Sequence, residues 1–324
     1  MHREYARMRE LCFLLGFHKS SLQPYVVLRR KAGQLFLRQR SGEPDYKAGP
    51  GTNWNGWIKL HSRPINDVAV TNKGRVITEV NPDILIVQEI EDRQSLLGFN
   101  EGYLSEEVRF SEIYSIEGND EYSRSMGIMT KKEYRVNSVI SHSNEWWKDE
   151  KLFDKDLQEY EIRTPKGEIL WILSAQMAEP GPDNEEKRKA QSERIAEVYD
   201  QLWGRGIHKI AVVGTFNAPS YCDSLSPVLR NTGLQEVKKH PQFNVDFDEG
   251  KDAAYHSLGA YKMGVNLKQQ DYLLLSPDLY AATKGAGLYR KGVWPAKKDQ
   301  YRTYSSIEGE TFQASSHPAL WVEF

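Results

Sequence analysis

The chain has 324 residues, of which 39% are hydrophobic and 27% are charged, and its formal net charge is −2 at pH 7. This near-neutral balance excludes a general electrostatic attraction to nucleic acid, although a local basic groove remains compatible with it. The length suits one large domain. We predict a single domain over residues 1–324, with residues 1–24 as an N-terminal extension.

The two cysteines, Cys12 and Cys222, lie far apart in the sequence. Their spacing fits neither a metal-binding cluster nor a disulfide framework, which favours a reducing compartment. The apolar run over residues 11–17 is too short and too poorly flanked for a secretory signal, and no segment is long enough to span a bilayer. We therefore expect a cytoplasmic protein without a membrane partner.

The predicted elements begin with a short N-terminal helix and a hairpin over residues 25–40, and residues 41–56 are expected to form a loop. A helix is predicted over residues 67–80, because its apolar residues follow helical spacing and Asn81-Pro82-Asp83 ends it. A longer helix is predicted over residues 185–203. Residues 241–270 are polar and irregular, and are expected to form a surface loop.

Short apolar runs between these helices predict strands. We expect them at residues 57–60, 84–87, 125–130, 160–164, 169–173, 210–213, 272–275 and 320–324. Many short strands with long helices between them are typical of layered sheets flanked by helices.

Four segments place polar residues at the ends of predicted strands. They are NPDILIVQEIEDR (81–93), KIAVVGTFNAPS (209–220), QDYLLLSPDL (270–279) and SSHPALWVEF (315–324). In this order they resemble the motifs of the endonuclease/exonuclease/phosphatase (DNase I-like) superfamily, and KRKAQSERIAEVYDQL and GLYRKGVW resemble its bacterial branch. The resemblance implies an α+β fold, a four-layer α/β/β/α sandwich with two stacked mixed sheets flanked by helices, over residues 25–324.

The resemblance also implies a catalytic site. Members of the superfamily hydrolyse phosphate esters with a divalent metal, usually Mg²⁺, which prefers oxygen ligands. Glu89 matches the metal ligand, Asn217 matches the amide beside the catalytic water, and Asp271 matches the carboxylate that orients His317. The alternatives are a surface carboxylate for Glu89, a turn residue for Asn217 and an incidental loop histidine for His317.

Several positions depart from the pattern of the superfamily. Thr215 stands where an aspartate orients the attacking water, and Ser316 stands where an aspartate precedes the terminal histidine. Ala175 and Gln176 stand where many members have Asn-His. Threonine cannot take a proton from water, and the loss of one positioned acid or base lowers a rate by about 10²–10⁴. We therefore expect weak Mg²⁺ binding and little hydrolysis by the usual route.

Other departures leave alternatives open. The first-strand position of the metal site falls on His61 or, as the less favoured candidate, on Asn72, and Ser125 stands where the bacterial branch tends to have aspartate. Five carboxylates near the motifs could replace lost ligands or could simply be solvated loop charges: Glu91, Asp92, Glu117, Asp120 and Asp223.

These observations predict a catalytically impaired protein, a pseudo-nuclease, that binds a phosphate-bearing ligand or a protein partner through the old cleft. The alternatives are an active Mg²⁺-dependent nuclease or phosphodiesterase with relocated metal ligands, and a purely structural or interaction module. Nucleic acid is another candidate partner. Its candidate contacts also have a structural interpretation, as a solvated, salt-bridged helix face and as packed tryptophans: Lys187, Arg188, Lys189 and Arg194, residues 53–57, and Trp146-Trp147.

Overall fold

The computed structural model describes residues 26–32, 37–38, 44–45, 55–60, 66–120, 124–245, 269–295 and 301–324. The chain divides into two compact units, Met1–Ile65 and Asn66–Phe324. The N-terminal helix, Cys12, Trp54 and His61 lie outside the described residues. The prediction of one domain over both units stays a prediction.

The described residues of the first unit form four strands, β1 (Val26–Ala32), β2 (Leu37–Arg38), β3 (Pro44–Asp45) and β4 (Asn55–Leu60). β1 pairs antiparallel with β4, and β2 pairs antiparallel with β3. The predicted hairpin over residues 25–40 is therefore wrong, because its described strands β1 and β2 pair with β4 and β3 and not with each other. A seven-residue strand forms a longer hydrogen-bonded ladder with β4 than with the two residues of β2. β3 and the start of β4 also interrupt the predicted loop over residues 41–56.

The second unit contains the remaining elements. Its α-helices in the described ranges are α1 (Asp67–Val80), α2 (Arg93–Tyr103), α3 (Glu185–Gly204), α4 (Ser226–Arg230) and α5 (Pro277–Ala282). Its strands are β5 (Ile84–Ile90), β6 (Glu112–Ile116), β7 (Ser125–Thr130), β8 (Arg135–Ser141), β9 (Trp146–Trp147), β10 (Glu150–Lys151), β11 (Leu157–Arg163), β12 (Ile169–Gln176), β13 (Ile210–Thr215), β14 (Gln235–Glu236), β15 (Phe243–Val245), β16 (Asp271–Leu275), β17 (Gly285–Tyr289) and β18 (Ala319–Glu323). Both helices and all strands predicted for this unit are confirmed. The elements that were not predicted are α2, α4, α5, β6, β8, β9, β10, β14, β15 and β17. β15 begins inside the expected surface loop, of which residues 246–268 lie outside the described part.

Both ends of helix α1 are fixed by hydrogen bonds to residues close by in the sequence. The side-chain oxygen of Asn66 accepts hydrogen bonds from the backbone amides of Val68 and Ala69, at 3.1 and 3.3 Å, and so caps the first turn. At the other end Asn81 adopts a left-handed conformation with φ 50°, and its backbone N–H donates to the carbonyl of Ile77.

Two sheets of the second unit contain both parallel and antiparallel pairs, and the sheet formed by β5, β7 and β6 is antiparallel. One sheet has six strands in the order β14-β16-β13-β12-β11-β8, in which only β12 and β13 run parallel. Two three-stranded sheets have the orders β5-β7-β6 and β15-β17-β18. Because β12 and β13 run parallel, their C-terminal ends lie at the same edge of the sheet.

Alternating side chains divide the interior of this unit into three cores. On one face of the six-stranded sheet, Ile172 packs in a core with Ile86 of β5 and Leu320 of β18. On the other face, Leu173 packs in a core with Ile195 of α3. A third core joins α1 and α2 to the outer face of β5 and β7. The four-layer α/β/β/α sandwich is thus confirmed.

The basic residues of α3 are less solvated than predicted. Lys187 is only 5% exposed and lies 2.7 Å from a carboxylate oxygen of Glu150 and 2.5 Å from one of Asp154. Arg188 is 6% exposed and donates to backbone carbonyls of residues 179 and 181. Lys187 forms salt bridges, but the prediction of a solvated face is wrong for both residues. Lys187 is buried against two carboxylates that are remote in sequence, and Arg188 is buried against the backbone just before α3.

The tryptophan pair Trp146-Trp147 is only partly packed. Trp147 packs against the core beneath α3, as expected, whereas Trp146 is 65% exposed. Cys222 is a free cysteine. None of the helices in the described ranges combines the length and the apolar character needed to cross a bilayer.

Candidate functional site

The register of the six-stranded sheet brings the motif residues together. Gln176 is paired with Thr215 across β12 and β13, and Thr215 is paired with Asp271 across β13 and β16. Gln88 of β5 joins them, since its side-chain amide donates to the carbonyl of Ala175 at 3.0 Å. The second and third motifs therefore meet the first at one edge of the sandwich, and the fourth joins them through the contact of His317 with Asp271.

A histidine, a carboxylate and a hydroxyl form a short chain of hydrogen bonds there. His317 Nδ1 lies 2.7 Å from Asp271 Oδ2, and Thr215 Oγ1 donates to Asp271 Oδ1 at 2.7 Å. The hydrogen bond to Asp271 raises the pKa of His317; burial partly opposes this, and the charges of Glu89 and Glu179 add to it. Both oxygens of Asp271 are thus engaged, and the imidazole is more readily protonated than a free histidine.

Glu89 is held in an unusual backbone conformation. Its φ is 56°, in the left-handed region, and it lies where the register between β5 and β7 shifts between Val87 and Ile90. For a residue with a Cβ, this conformation costs about 1–2 kcal/mol relative to the right-handed one. Its carboxylate accepts a hydrogen bond from Gln176 Nε2 at 2.8 Å and lies 2.9 Å from Arg124 Nη1. Each carboxylate oxygen therefore has a nitrogen donor.

Arg124 belongs to a charge network behind Glu89. Its Nε and Nη2 donate to the two oxygens of Asp120, at 3.2 and 3.0 Å. The Asp120 side chain is fully buried, and the ammonium group of Lys155 is its second cationic partner. Asp120 was a candidate from the sequence, whereas Arg124 and Lys155 were not. The signal that could have pointed to Arg124 is its position directly before the buried strand β7.

Two further residues show how tightly the backbone is folded at this edge. Asn217 has φ 56°, is 8% exposed, and donates its side-chain amide to the carbonyl of Met177 at 2.9 Å, so it holds a turn. Gly214 has φ 137°, and a Cβ on it would lie 1.9 Å from the carbonyl oxygen of Ala175. Among the described residues other than glycine, four have positive φ, and two of them are Glu89 and Asn217.

The other candidates are placed less centrally. Ala175 is completely buried in the core beneath α3, and Ser316 is an exposed neighbour of His317. Asn72 lies inside α1, where its amide donates to the carbonyl of Phe312 at 2.8 Å and accepts from Ser306 Oγ at 2.6 Å. Asn72 therefore joins α1 to the segment before β18.

The candidate substitute carboxylates have structural partners or lie exposed. Asp92 caps α2 by accepting from the amide of Ser95 at 2.7 Å, and Glu91 accepts from its hydroxyl at 3.1 Å. Asp223 lies 3.8 Å from Arg230, and Glu117 is exposed.

The residues around Glu89 do not fit a bound Mg²⁺. In the part of the chain that the structure describes, no group of three or more His, Cys, Asp or Glu side chains could hold a metal ion. Mg²⁺ demands oxygen ligands in nearly octahedral array. Glu89 instead faces an amide N–H and a guanidinium, and these donors repel a cation.

Comparison with known proteins gives the fold. No family model and no curated protein sequence matches the chain. A solved endonuclease/exonuclease/phosphatase family protein from Bacteroides thetaiotaomicron is 13% identical, covers 78% of this chain and 85% of its own, and superposes with a TM-score of 0.52.

Two other solved structures are similar to the same extent. A mannosyl-6-phosphatase from Bacteroides thetaiotaomicron is 13% identical, covers 79% of this chain and 90% of its own, and has a TM-score of 0.52. Truncated TDP2 from Caenorhabditis elegans is 16% identical, covers 79% of this chain and 90% of its own, and has a TM-score of 0.51. At these identities, the similarity concerns the fold.

Proposed function

Because this chain has the endonuclease/exonuclease/phosphatase fold, we propose that it binds a phosphate ester at this edge and is impaired in metal-dependent hydrolysis. One observation carries the proposal: both oxygens of Glu89 are engaged, one by Gln176 and one by Arg124. A carboxylate that is already paired with a guanidinium is a poor ligand for a divalent ion. Thr215 supplies no base for an attacking water.

The same edge presents groups that bind anions. The His317 side chain is 40% exposed and that of Arg124 is 33% exposed. The hydrogen bond to Asp271 raises the pKa of His317 and favours its cationic form. Charged donors of this kind form the stronger hydrogen bonds to phosphate oxygens. The name of the mannosyl-6-phosphatase, one of the similar structures, also points to phosphate esters as the ligand class.

A working hydrolase with relocated metal ligands is the second candidate, and the Asp271–His317 pair at 2.7 Å favours it. An imidazole oriented by a carboxylate is the usual arrangement of a proton donor. In this alternative Arg124 would have to leave Glu89 when the metal binds.

Binding of phenyl phosphate, measured by titration calorimetry in EDTA, tests the proposal. We expect saturable binding to the wild type and at least about tenfold weaker binding to His317→Gln, since a hydrogen bond from a charged donor contributes about 1.5–3 kcal/mol. Lys148→Ala removes an exposed lysine on the β9–β10 turn and serves as the control that retains binding. Wild-type protein that does not bind phenyl phosphate, or His317→Gln that binds as well as wild type, would contradict the proposal.

A hydrolysis assay separates the two candidates. We expect no Mg²⁺-dependent cleavage of bis-p-nitrophenyl phosphate or plasmid DNA above a buffer control. If the wild type cleaves either substrate with Mg²⁺ and Glu89→Gln does not, the second candidate is correct and the proposal of impaired hydrolysis is wrong.

A further inference from the structure

The carboxylate of Asp120 holds Arg124 in place against Glu89. Two of its nitrogens donate to the carboxylate of Asp120, at 3.2 and 3.0 Å, and its third nitrogen lies 2.9 Å from Glu89 Oε2. The Asp120 side chain is fully buried and also carries the ammonium group of Lys155. The guanidinium is planar and permanently charged, so this arrangement holds one cation at Glu89 at every physiological pH.

Among the described side chains of this network, each carboxylate already has a cationic partner. Glu89 and Asp120 contribute two negative charges, and Arg124 and Lys155 contribute two positive charges. A divalent ion at Glu89 would add two positive charges beside a guanidinium that Asp120 keeps in place. Removal of the guanidinium would leave the Glu89 carboxylate with the Gln176 amide alone, while Asp120 would keep Lys155 as its counter-ion.

The backbone supports a specific role for Glu89. It adopts φ 56° at the register shift in β5, where glycine would be less strained. Strain of this kind persists where surrounding contacts over-determine the conformation, and it is concentrated at functional sites. Here the contacts are those of its carboxylate with Gln176 and Arg124.

We propose that Arg124 is the resident cation of Glu89: it occupies the place of a divalent metal and excludes one, and its removal opens the Glu89 carboxylate to a divalent cation. This inference rests on the proposed function, because it names the group that makes the site independent of metal. The two proposals are told apart by whether a divalent metal can reach Glu89, which only this inference concerns.

Mn²⁺ binding, measured from the electron paramagnetic resonance signal of free Mn²⁺, tests the inference without any substrate. The variants are Arg124→Gln, which is neutral but keeps hydrogen-bonding groups, and Arg124→Ala. We expect at most weak binding to wild type and binding about tenfold or more tighter to Arg124→Gln, because one unit of repulsive charge is removed close to the ion. Adding Glu89→Gln to Arg124→Gln should abolish the gain.

Arg194→Ala is the matched control, since Arg194 also lies in a bidentate pair with a glutamate, Glu145, outside the site. It should bind Mn²⁺ no better than wild type. The inference is overturned if wild type binds Mn²⁺ as tightly as Arg124→Gln, or if Arg124→Gln and Arg124→Ala fold with native circular dichroism and gain nothing. Phenyl phosphate binding by the wild type in EDTA is scored separately, so either proposal can fail alone.

Discussion

Replacing Asp120 by asparagine removes the charge on which the network behind the site is built. The Asp120 side chain is fully buried, and Lys155 is itself only 9% exposed. The substitution therefore leaves an ammonium group inside the protein without its counter-ion, and breaking a buried pair from one side costs about 3–5 kcal/mol. At roughly 2–4 °C per kcal/mol for a unit of this size, we expect Tm to fall by about 6–20 °C.

Urea unfolding followed by circular dichroism measures the loss. Lys155→Met and the double variant complete a cycle, in which the double variant should lose less than the sum of the two single losses. Glu186→Gln is the control, because Glu186 and Lys148 form an exposed pair and its loss should leave the midpoint unchanged. A loss below about 1 kcal/mol for Asp120→Asn would refute the reasoning, because a buried unpaired charge cannot be that inexpensive.

Three further predictions concern other parts of the fold. Gly214→Ala should destabilise the protein by about 3 kcal/mol or more in urea, since its Cβ would meet the Ala175 carbonyl; Gly204→Ala, with nothing within 4 Å of the added Cβ, should be neutral or stabilising. Asp271→Asn should lower the pKa of His317, read from imidazole proton shifts, and an unchanged pKa would exclude the hydrogen bond as its cause. Burial lowers the pKa of His142, but hydrogen bonds to Glu159 and Glu145 outweigh it and raise that pKa above 6.5. The stability from His142 should therefore be complete below pH 6.5 and lost as pH rises through the folded-state pKa, whereas His142→Gln should lack this loss in urea titrations across that range.

Local structure in the second unit is encoded in the sequence itself. Helix α1 follows from apolar spacing and from the stop at Asn81-Pro82, and α3 follows from its long apolar stripe. These features depend on neighbours within a few residues, so the pattern alone predicts them. The four motif segments are also visible in the sequence, because each adjoins a short apolar run. Their convergence at one edge is what their resemblance to the superfamily implies.

Strand pairing in the first unit was decided by tertiary structure. The run that begins at Val26 was expected to pair with its immediate neighbour in the chain, but it pairs with Asn55–Leu60. Both partners were recognisable as strands. Which of them pair depends on competition among all available ladders, and a local pattern does not contain that comparison.

The electrostatic character of the site was decided in the same way. Glu89 was recognised as a strand-end carboxylate, but its partner Arg124 lies in a different segment and reaches it only when β5 and β7 are paired. Burial of Lys187 likewise requires the carboxylates of Glu150 and Asp154. An ion pair depends on distances between side chains that are remote in sequence, so the residue types reveal which charges exist, and only the packed sheets determine which of them meet.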